Sequence, residues 1–361
     1  MNINEYVSRG GAVVALKRLY ESYGYSLYKM SKFEEYELYV RNKSFLVSDH
    51  IITFTDVGGS LMALKPDVTL SIVKNSPEKE SGVRKVYYNE NVYRVPKGAL
   101  TFKEIMQAGL ECIGEIDRYS VAEVLTLARK SLESVSPDYV LDVSHMGILS
   151  ALVDELGFSA RGRETLLSCI GEKNIHGIDS LCLAEGKDAS CAETLKRLIA
   201  MNGDVNEMLE ILKDSSCFSE ALELAEIMQA VGGRTRVDFS VTDDMSYYSG
   251  IVFKGFIKGI PTSVLTGGRY DNLMKKMGKG SGAIGFAVYL DLLGELDSNV
   301  KEYDADVLIL YSDKTPVSEL VALTGKLTDE GKTVIAKREM SDKLKYREIF
   351  DLTGGENNGN D

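Results

Sequence analysis

Val13, Val14, Leu16, Leu19 and Tyr20 fall at the spacing of one helix face, so residues 11–25 read as an amphipathic helix. Residues 26–39 read as a strand running into a polar, helical turn. Two short apolar runs, 51–55 and 60–64, flank Asp56-Val57-Gly58-Gly59, where glycine supplies the positive φ of a tight turn; they predict a hairpin. Pro66-Asp67-Val68-Thr69 then opens a helix, with Asp67 in the first turn where the macrodipole favours an anion. Residues 83–93 and 105–114 predict two strands around a polar loop holding Pro96, Lys97 and Gly98. A helix over 120–134 and a short strand over 140–143 follow, and His145-Met146-Gly147 starts another helix.

From about 150 to 231 the pattern is almost wholly helical, broken near Gly171, Gly186 and Asn202-Gly203-Asp204. Strand patterns resume at 235–239, 246–256 and 261–265, and Gly267-Gly268-Arg269 reads as a glycine-rich turn. Residues 282–287 are small and apolar, and 288–296 read as a helix. A β-α-β unit over 305–311, 317–330 and 333–336, with a short helix after it, ends in a Gly/Asn-rich tail over 354–361 expected to be disordered. The expected architecture is α+β: an antiparallel sheet core over 1–149 and 232–297, a helical insertion over 150–231, and a small, truncated C-terminal α/β unit over 298–361.

Composition narrows the function classes. The chain has 361 residues, 44% hydrophobic and 27% charged, the usual balance of a globular protein. No apolar run approaches the ~20 residues of a membrane span and no secretory leader is visible, so a cytoplasmic protein away from membranes is expected. Cys112, Cys169, Cys182, Cys191 and Cys217 show no paired spacing, and His50, His145 and His176 lie far apart; free thiols and no metal site are expected. The net charge of −12 argues against a tRNA-gripping surface, which needs cations to displace phosphate counterions.

Four segments carry candidate chemistry. Asp67 and Thr69 sit at a strand-to-helix junction, where helix capping is the simpler reading and a ligand ammonium the alternative. Tyr87 to Arg94 ends a strand on an arginine, and on the returning strand Gln107, Gly109 and Glu111 share one face. That face is either open to solvent or buried against a ligand that repays the burial of an amide and a carboxyl. Tyr247 and Tyr248 lead one strand, and Gly267 and Gly268 let backbone approach a planar ligand.

In this order the segments resemble the histidyl-tRNA synthetase family, which includes the regulatory subunits of ATP phosphoribosyltransferase. The resemblance runs from about residue 11 to 296. Phe33-Glu34 is similar to the end of class II motif 1, with Ser31 in place of its proline. Residues 92–111 resemble motif 2, 282–293 motif 3, and 247–253 with 266–271 the two histidine signatures. The resemblance implies a class II synthetase-like fold, and a histidine pocket built from Asp67, Thr69, Arg94, Gln107, Glu111, Tyr247, Tyr248, Gly267 and Gly268.

It also implies a loss. Where the family places arginines for the ATP phosphates, this chain has Asp291 and Asp243. A like-charge contact near 4 Å costs several kcal/mol at a moderate effective dielectric. Residues 301–361 hold nine Lys/Arg against thirteen Asp/Glu, too short and acidic a piece to read an anticodon. The expectation is a non-catalytic subunit without cofactor, homodimeric through its class II core, that joins the short-form ATP phosphoribosyltransferase catalytic subunit and senses histidine for feedback. The alternatives are a divergent histidyl-tRNA synthetase and a stand-alone amino-acid-binding paralogue.

Overall fold

The computed structural model describes residues 9–46, 50–79, 82–95, 100–201, 203–242, 247–293, 303–341 and 344–353. The chain divides into two units, Met1–Leu296 and Asp297–Asp361. Among the described residues no helix is long and apolar enough to cross a membrane.

In the larger unit, α1 (Arg9–Ser22) leads into a two-residue strand, β1 (Ser26–Leu27). β2 (Phe33–Glu35) and α2 (Tyr36–Arg41) follow, and then the hairpin arms β3 (Thr53–Thr55) and β4 (Leu61–Leu64). Gly59 has φ +85°, as the predicted turn requires, and Asp56 Oδ1 accepts from Gly58 N and Ser60 N to close it. These strands make a small sheet in the order β2-β4-β3.

α3 (Thr69–Lys74) precedes two long strands, β5 (Val83–Arg94) and β6 (Lys103–Gly114). α4 (Arg118–Val135), capped by Asp117, packs its apolar face under the sheet, and β7 (Tyr139–His145) returns. α5 (Met146–Leu156) is followed by five more helices: α6 (Ala160–Gly171), α7 (Ile175–Ala184), α8 (Ala189–Ala200), α9 (Val205–Leu212) and α10 (Phe218–Val231). Side chains of Ser159, Asn174, Asp188 and Asp204 cap four of them, satisfying first-turn N–H groups that have no helical partner.

β8 (Thr235–Val237), β9 (Ile251–Ile257) and β10 (Leu265–Arg269) complete one side of the main sheet. α11 (Asp271–Lys276), β11 (Gly282–Tyr289) and α12 (Leu290–Leu293) complete the other. The order is β1-β5-β6-β11-β10-β9-β7-β8, antiparallel except at its two outermost pairs. α1 and α4 cover one face through Leu16, Tyr20, Leu125, Leu132 and their neighbours. The opposite face carries the cavity described below.

Three expectations change. Gly267-Gly268 is not a turn but the middle of β10, and that strand begins at Leu265 and not at residue 261. Glycine is required there because the sheet is crowded on both sides: a Cβ on Gly267 would strike Phe286, and one on Gly268 would lie 2.5 Å from the Tyr248 ring. β11 runs two residues further than predicted, to Tyr289, because Val288 and Tyr289 still pair with Ala108 and Gln107.

In the smaller unit β12 (Ala305–Tyr311), α13 (Val317–Asp329) and β13 (Val334–Lys337) form the predicted β-α-β unit, but the last element is a strand, β14 (Tyr346–Leu352), not a helix. It pairs in parallel with β12, which becomes the central strand between β13 and β14. Val307, Ile309 and Leu327 form this unit's own core. The tail, residues 354–361, and the loop residues Pro96, Lys97 and Gly98 lie outside the described residues.

Candidate functional site

Side chains paired across adjacent strands project from the same face, so the register states which residues meet. Glu111 pairs with Gly285, and Gly285 with Gly268. In the next row Tyr88, Gly109, Ala287, Thr266 and Lys254 are successive partners across five strands. Gln107 and Tyr289 pair in a third row. These rows floor a cavity of about 560 Å³, walled by Asp67, Thr69, Tyr247, Tyr248 and Tyr270. All nine residues singled out from the sequence line it.

Glycines make the floor. A Cβ on Gly285 would overlap Glu111 Oε2, and one on Gly109 would lie 2.5 Å from the Tyr88 hydroxyl. Gly267 contributes only backbone to the cavity, since its open side faces Phe286 and Phe253 in the core. Gly268 opens the cavity side, under the Tyr248 ring. Tyr247 packs against Tyr248, Tyr270 and Phe45, with ring centroids 4.6, 5.9 and 5.7 Å away, and forms the flat wall.

Glu111 is 2% exposed and Gln107 5%, which settles the two-sided reading of β6 in favour of burial. Thr69 Oγ1 donates to Glu111 Oε1 at 2.8 Å, and the Tyr270 hydroxyl donates to Oε2 at 2.6 Å. Burial still outweighs these two bonds, and with Asp67 nearby it pushes the Glu111 carboxyl up to about 8. Burial therefore favours the protonated, neutral form of Glu111. Burial also raises Asp67, although Leu70 N donates to its Oδ1 at 2.9 Å and Arg94 favours its charged form. The capping role expected of Asp67 is real, and the same side chain also borders the cavity.

Arg94 is 7% exposed, and its guanidinium lies 5.8 Å from the centroid of the Tyr289 ring. Among the described residues it has no carboxylate within ion-pair distance. A buried guanidinium with five donors is costly unless an anion meets it. Arg94 and the Asp67 carboxyl thus face one cavity, an arrangement that complements the carboxylate and ammonium of a free amino acid. The hydroxyl-rimmed Glu111 end would receive a polar side chain.

The two acids expected at phosphate positions fare differently. Asp291 does not line the cavity; its Oδ2 accepts from Met106 N at 2.8 Å and ties α12 to β6. Asp243 lies outside the described residues. Tyr88, Lys254, Ser263, Thr266, Tyr270 and Tyr289 line the cavity but were not singled out from the sequence. Tyr88, Thr266, Tyr270 and Tyr289 fall inside segments quoted from the sequence, but only the fold brings their side chains together with Lys254 and Ser263.

A large antiparallel sheet with an amino-acid-sized cavity on one face and helices on the other is the class II aminoacyl-tRNA synthetase fold. A 0.76 TM-score match covers 96% of this chain and 94% of a Bacillus halodurans protein described as an ATP phosphoribosyltransferase regulatory subunit/histidyl-tRNA synthetase, at 23% identity. The sequence model of the histidyl-tRNA synthetase family matches residues 8–293, and the chain belongs to that family. Relatives of both kinds match at similar identity. An ATP phosphoribosyltransferase regulatory subunit of Caldanaerobacter subterraneus subsp. tengcongensis is 30% identical over 301 residues, 80% of this chain and 78% of the relative. A histidine–tRNA ligase of Methanocaldococcus jannaschii is 26% identical over 346 residues, 92% of this chain and 83% of the relative.

Proposed function

We propose that this chain is a non-catalytic regulatory subunit of ATP phosphoribosyltransferase that binds histidine in the sheet cavity. The observation that carries this is the buried Arg94, without an ion pair among the described residues, facing the same cavity as Asp67, with Glu111 held toward its neutral form at the far end. Histidine would set its carboxylate on Arg94, its ammonium on Asp67 and its ring against Glu111, Thr69 and the tyrosine wall. The regulatory-subunit names among the relatives support the assignment to histidine biosynthesis.

A synthetase must also neutralise a triphosphate, and fixed cations are the main source of that stabilisation. Among the described residues the cavity offers two cations, Arg94 and Lys254, to a ligand that would carry several phosphate charges. Aminoacylation is the competing reading, favoured by the synthetase relatives. The proposed assembly is a homodimer bound to the short-form catalytic subunit. Phe33 and Phe54, both exposed and 5.5 Å apart edge to face on the small β2-β4-β3 sheet, supply an apolar surface for the homodimer.

Co-purification with a short-form catalytic subunit, assayed with and without histidine, is the direct test. Binding with histidine-dependent inhibition is expected. Absence of both, together with histidine-dependent ATP–pyrophosphate exchange by this chain alone, would establish the synthetase instead.

A further inference from the structure

We propose that β14 is a self-association edge, at which two copies of this chain pair their β14 strands antiparallel about a two-fold axis at Ile349. The surface is separate from the sheet cavity and from the β2-β4-β3 surface assigned above to the homodimer, and it does not rest on the histidine reading.

β12 lies between β13 and β14, so β14 is an edge of the smaller unit's sheet. Ala305 N donates to the Lys345 carbonyl, which in a parallel ladder turns the odd-numbered backbone groups of β14 toward β12. The N–H and C=O groups of Tyr346, Glu348 and Phe350 therefore point away, and among the described residues no strand meets them. The next outward carbonyl, that of Leu352, accepts from Thr315 Oγ1 at 2.7 Å, so the open template runs from Tyr346 to Phe350. The seven-residue strand holds neither glycine nor proline, and Ile349 and Phe350 are 42% and 37% exposed on it. Unpaired backbone groups beside exposed apolar side chains template another strand unless the edge charges forbid it.

The charges on β14 select one partner. In a two-fold pair the outward groups exchange hydrogen bonds, and each residue meets the one equally far across the axis. With the axis at Ile349, Glu348 exchanges bonds with Phe350, and Arg347 of each copy falls opposite Asp351 of the other. Moving the axis to Arg347, Glu348 or Asp351 sets that charged residue against its own copy. Moving it to Phe350 sets Asp351 against Ile349. The Ile349 register thus pairs opposite charges twice, whereas the shifted ones repel or leave them unmatched.

Both charged groups are within reach of a second copy. The Arg347 side chain is 64% exposed, with its Nε 3.7 Å from Asp306 Oδ1 and its guanidinium 5.3 Å from the centroid of the Tyr303 ring. Asp351 is exposed and accepts from Thr353 N and Oγ1 through Oδ1, leaving Oδ2 for the guanidinium. Lys332 Nζ holds Glu348 Oε2 at 3.0 Å, which offsets the acid beside the axis.

The test is analytical ultracentrifugation of the full chain over a range of concentrations. Wild type is expected to form a species of twice the mass that Arg347→Asp or Asp351→Arg forms, and the double variant, with the two charges exchanged, to regain it. Any homodimer made elsewhere on the chain is common to all four proteins and drops out of the comparison. Equal masses in wild type and both single variants, or a loss that the double variant does not restore, overturns the pairing. Independently, Ile349→Cys would face its own copy in a non-hydrogen-bonded pair, about 4.5 Å between Cα atoms and within disulfide reach. Mild oxidation is expected to cross-link that variant into a covalent dimer, and to leave Glu348→Cys and the unsubstituted chain monomeric on a non-reducing gel. Absence of the cross-link, or its equal formation in Glu348→Cys, overturns the register.

Discussion

Replacing Glu111 by glutamine isolates the free energy stored in burying one carboxyl. In water the group ionises near 4.5, but burial raises it to about 8 in the folded chain. The folded state therefore keeps its proton through a range where the unfolded state has released it. Below about pH 4.5 both states are protonated and burial carries no pH-dependent cost. Between there and pH 8 the native state loses about 1.4 kcal/mol of stability per pH unit relative to unfolded, about 5 kcal/mol in all, and the cost is then constant. Glutamine has the same shape and no charge to desolvate. Its amide cannot accept from both Thr69 and Tyr270, which costs about 1 kcal/mol at every pH. Glu111→Gln is thus expected to be slightly less stable than wild type near pH 5 and several kcal/mol more stable near pH 9. Urea unfolding of both proteins from pH 5 to 9, followed by far-UV circular dichroism because the chain has no tryptophan, measures this difference. A stability difference that stays flat across that range would refute the neutral, buried carboxyl.

Arg94→Met removes the cation expected to meet the ligand carboxylate, for a loss of about 2–4 kcal/mol, some 30- to 1000-fold in histidine affinity by calorimetry. Unchanged affinity would place the carboxylate elsewhere. Gly285→Ala puts a Cβ into Glu111 Oε2 and the Leu110 carbonyl, and overpacking of about 1–3 kcal/mol is expected in urea unfolding, together with lost histidine binding. An alanine variant as stable as wild type would contradict the crowded floor. Lys65 Nζ lies 2.6 Å from Glu90 Oε2 with its side chain 1% exposed, so Lys65→Met should cost about 3 kcal/mol by stranding Glu90, and adding Glu90→Gln should recover most of it. Failure of the double variant to recover would show that packing and not charge dominates at Lys65.

Much of the fold was legible because the two faces of the sheet differ in polarity. The 83–94 and 103–114 strands alternate in step with a sheet that has helices on one face and a cavity on the other, and the α4 pattern is that of a helix under a sheet. Two elements were not legible, for the same reason. Tyr346, Ile349 and Phe350 fall at helical spacing, yet β12 offers a parallel edge that takes the segment as a strand, and tertiary pairing outweighs local periodicity. Gly267-Gly268 has the composition of a turn, but Phe253 on β9, Phe286 on β11 and Tyr248 ahead of β9 flank it so closely that only glycine fits in the strand. In both cases the deciding partner lies far away in the chain.

The candidate site divides similarly. Gln107 and Glu111 could be placed on one face from a period of two, and Asp67 from its helix start; the register then adds Lys254, Thr266 and Tyr289, which no spacing rule connects. It also relocates the chemical contrast with a synthetase. Read from sequence, the contrast was charge inversion at Asp291 and Asp243; Asp291 accepts from the Met106 amide and does not line the cavity, and Asp243 lies outside the described residues. What the cavity presents instead is Tyr289, whose ring lies under Arg94 and whose hydroxyl meets Thr266. An aromatic side chain there takes up space on the floor beside the arginine, while the Glu111 end keeps its hydroxyl partners and its glycine floor. Among the described residues the cavity is lined by two cations, Arg94 and Lys254, and Tyr289 takes part of its floor. Asp67, Arg94 and Glu111 line the same cavity, so the proposed amino-acid contacts do not depend on how the Tyr289 end is used.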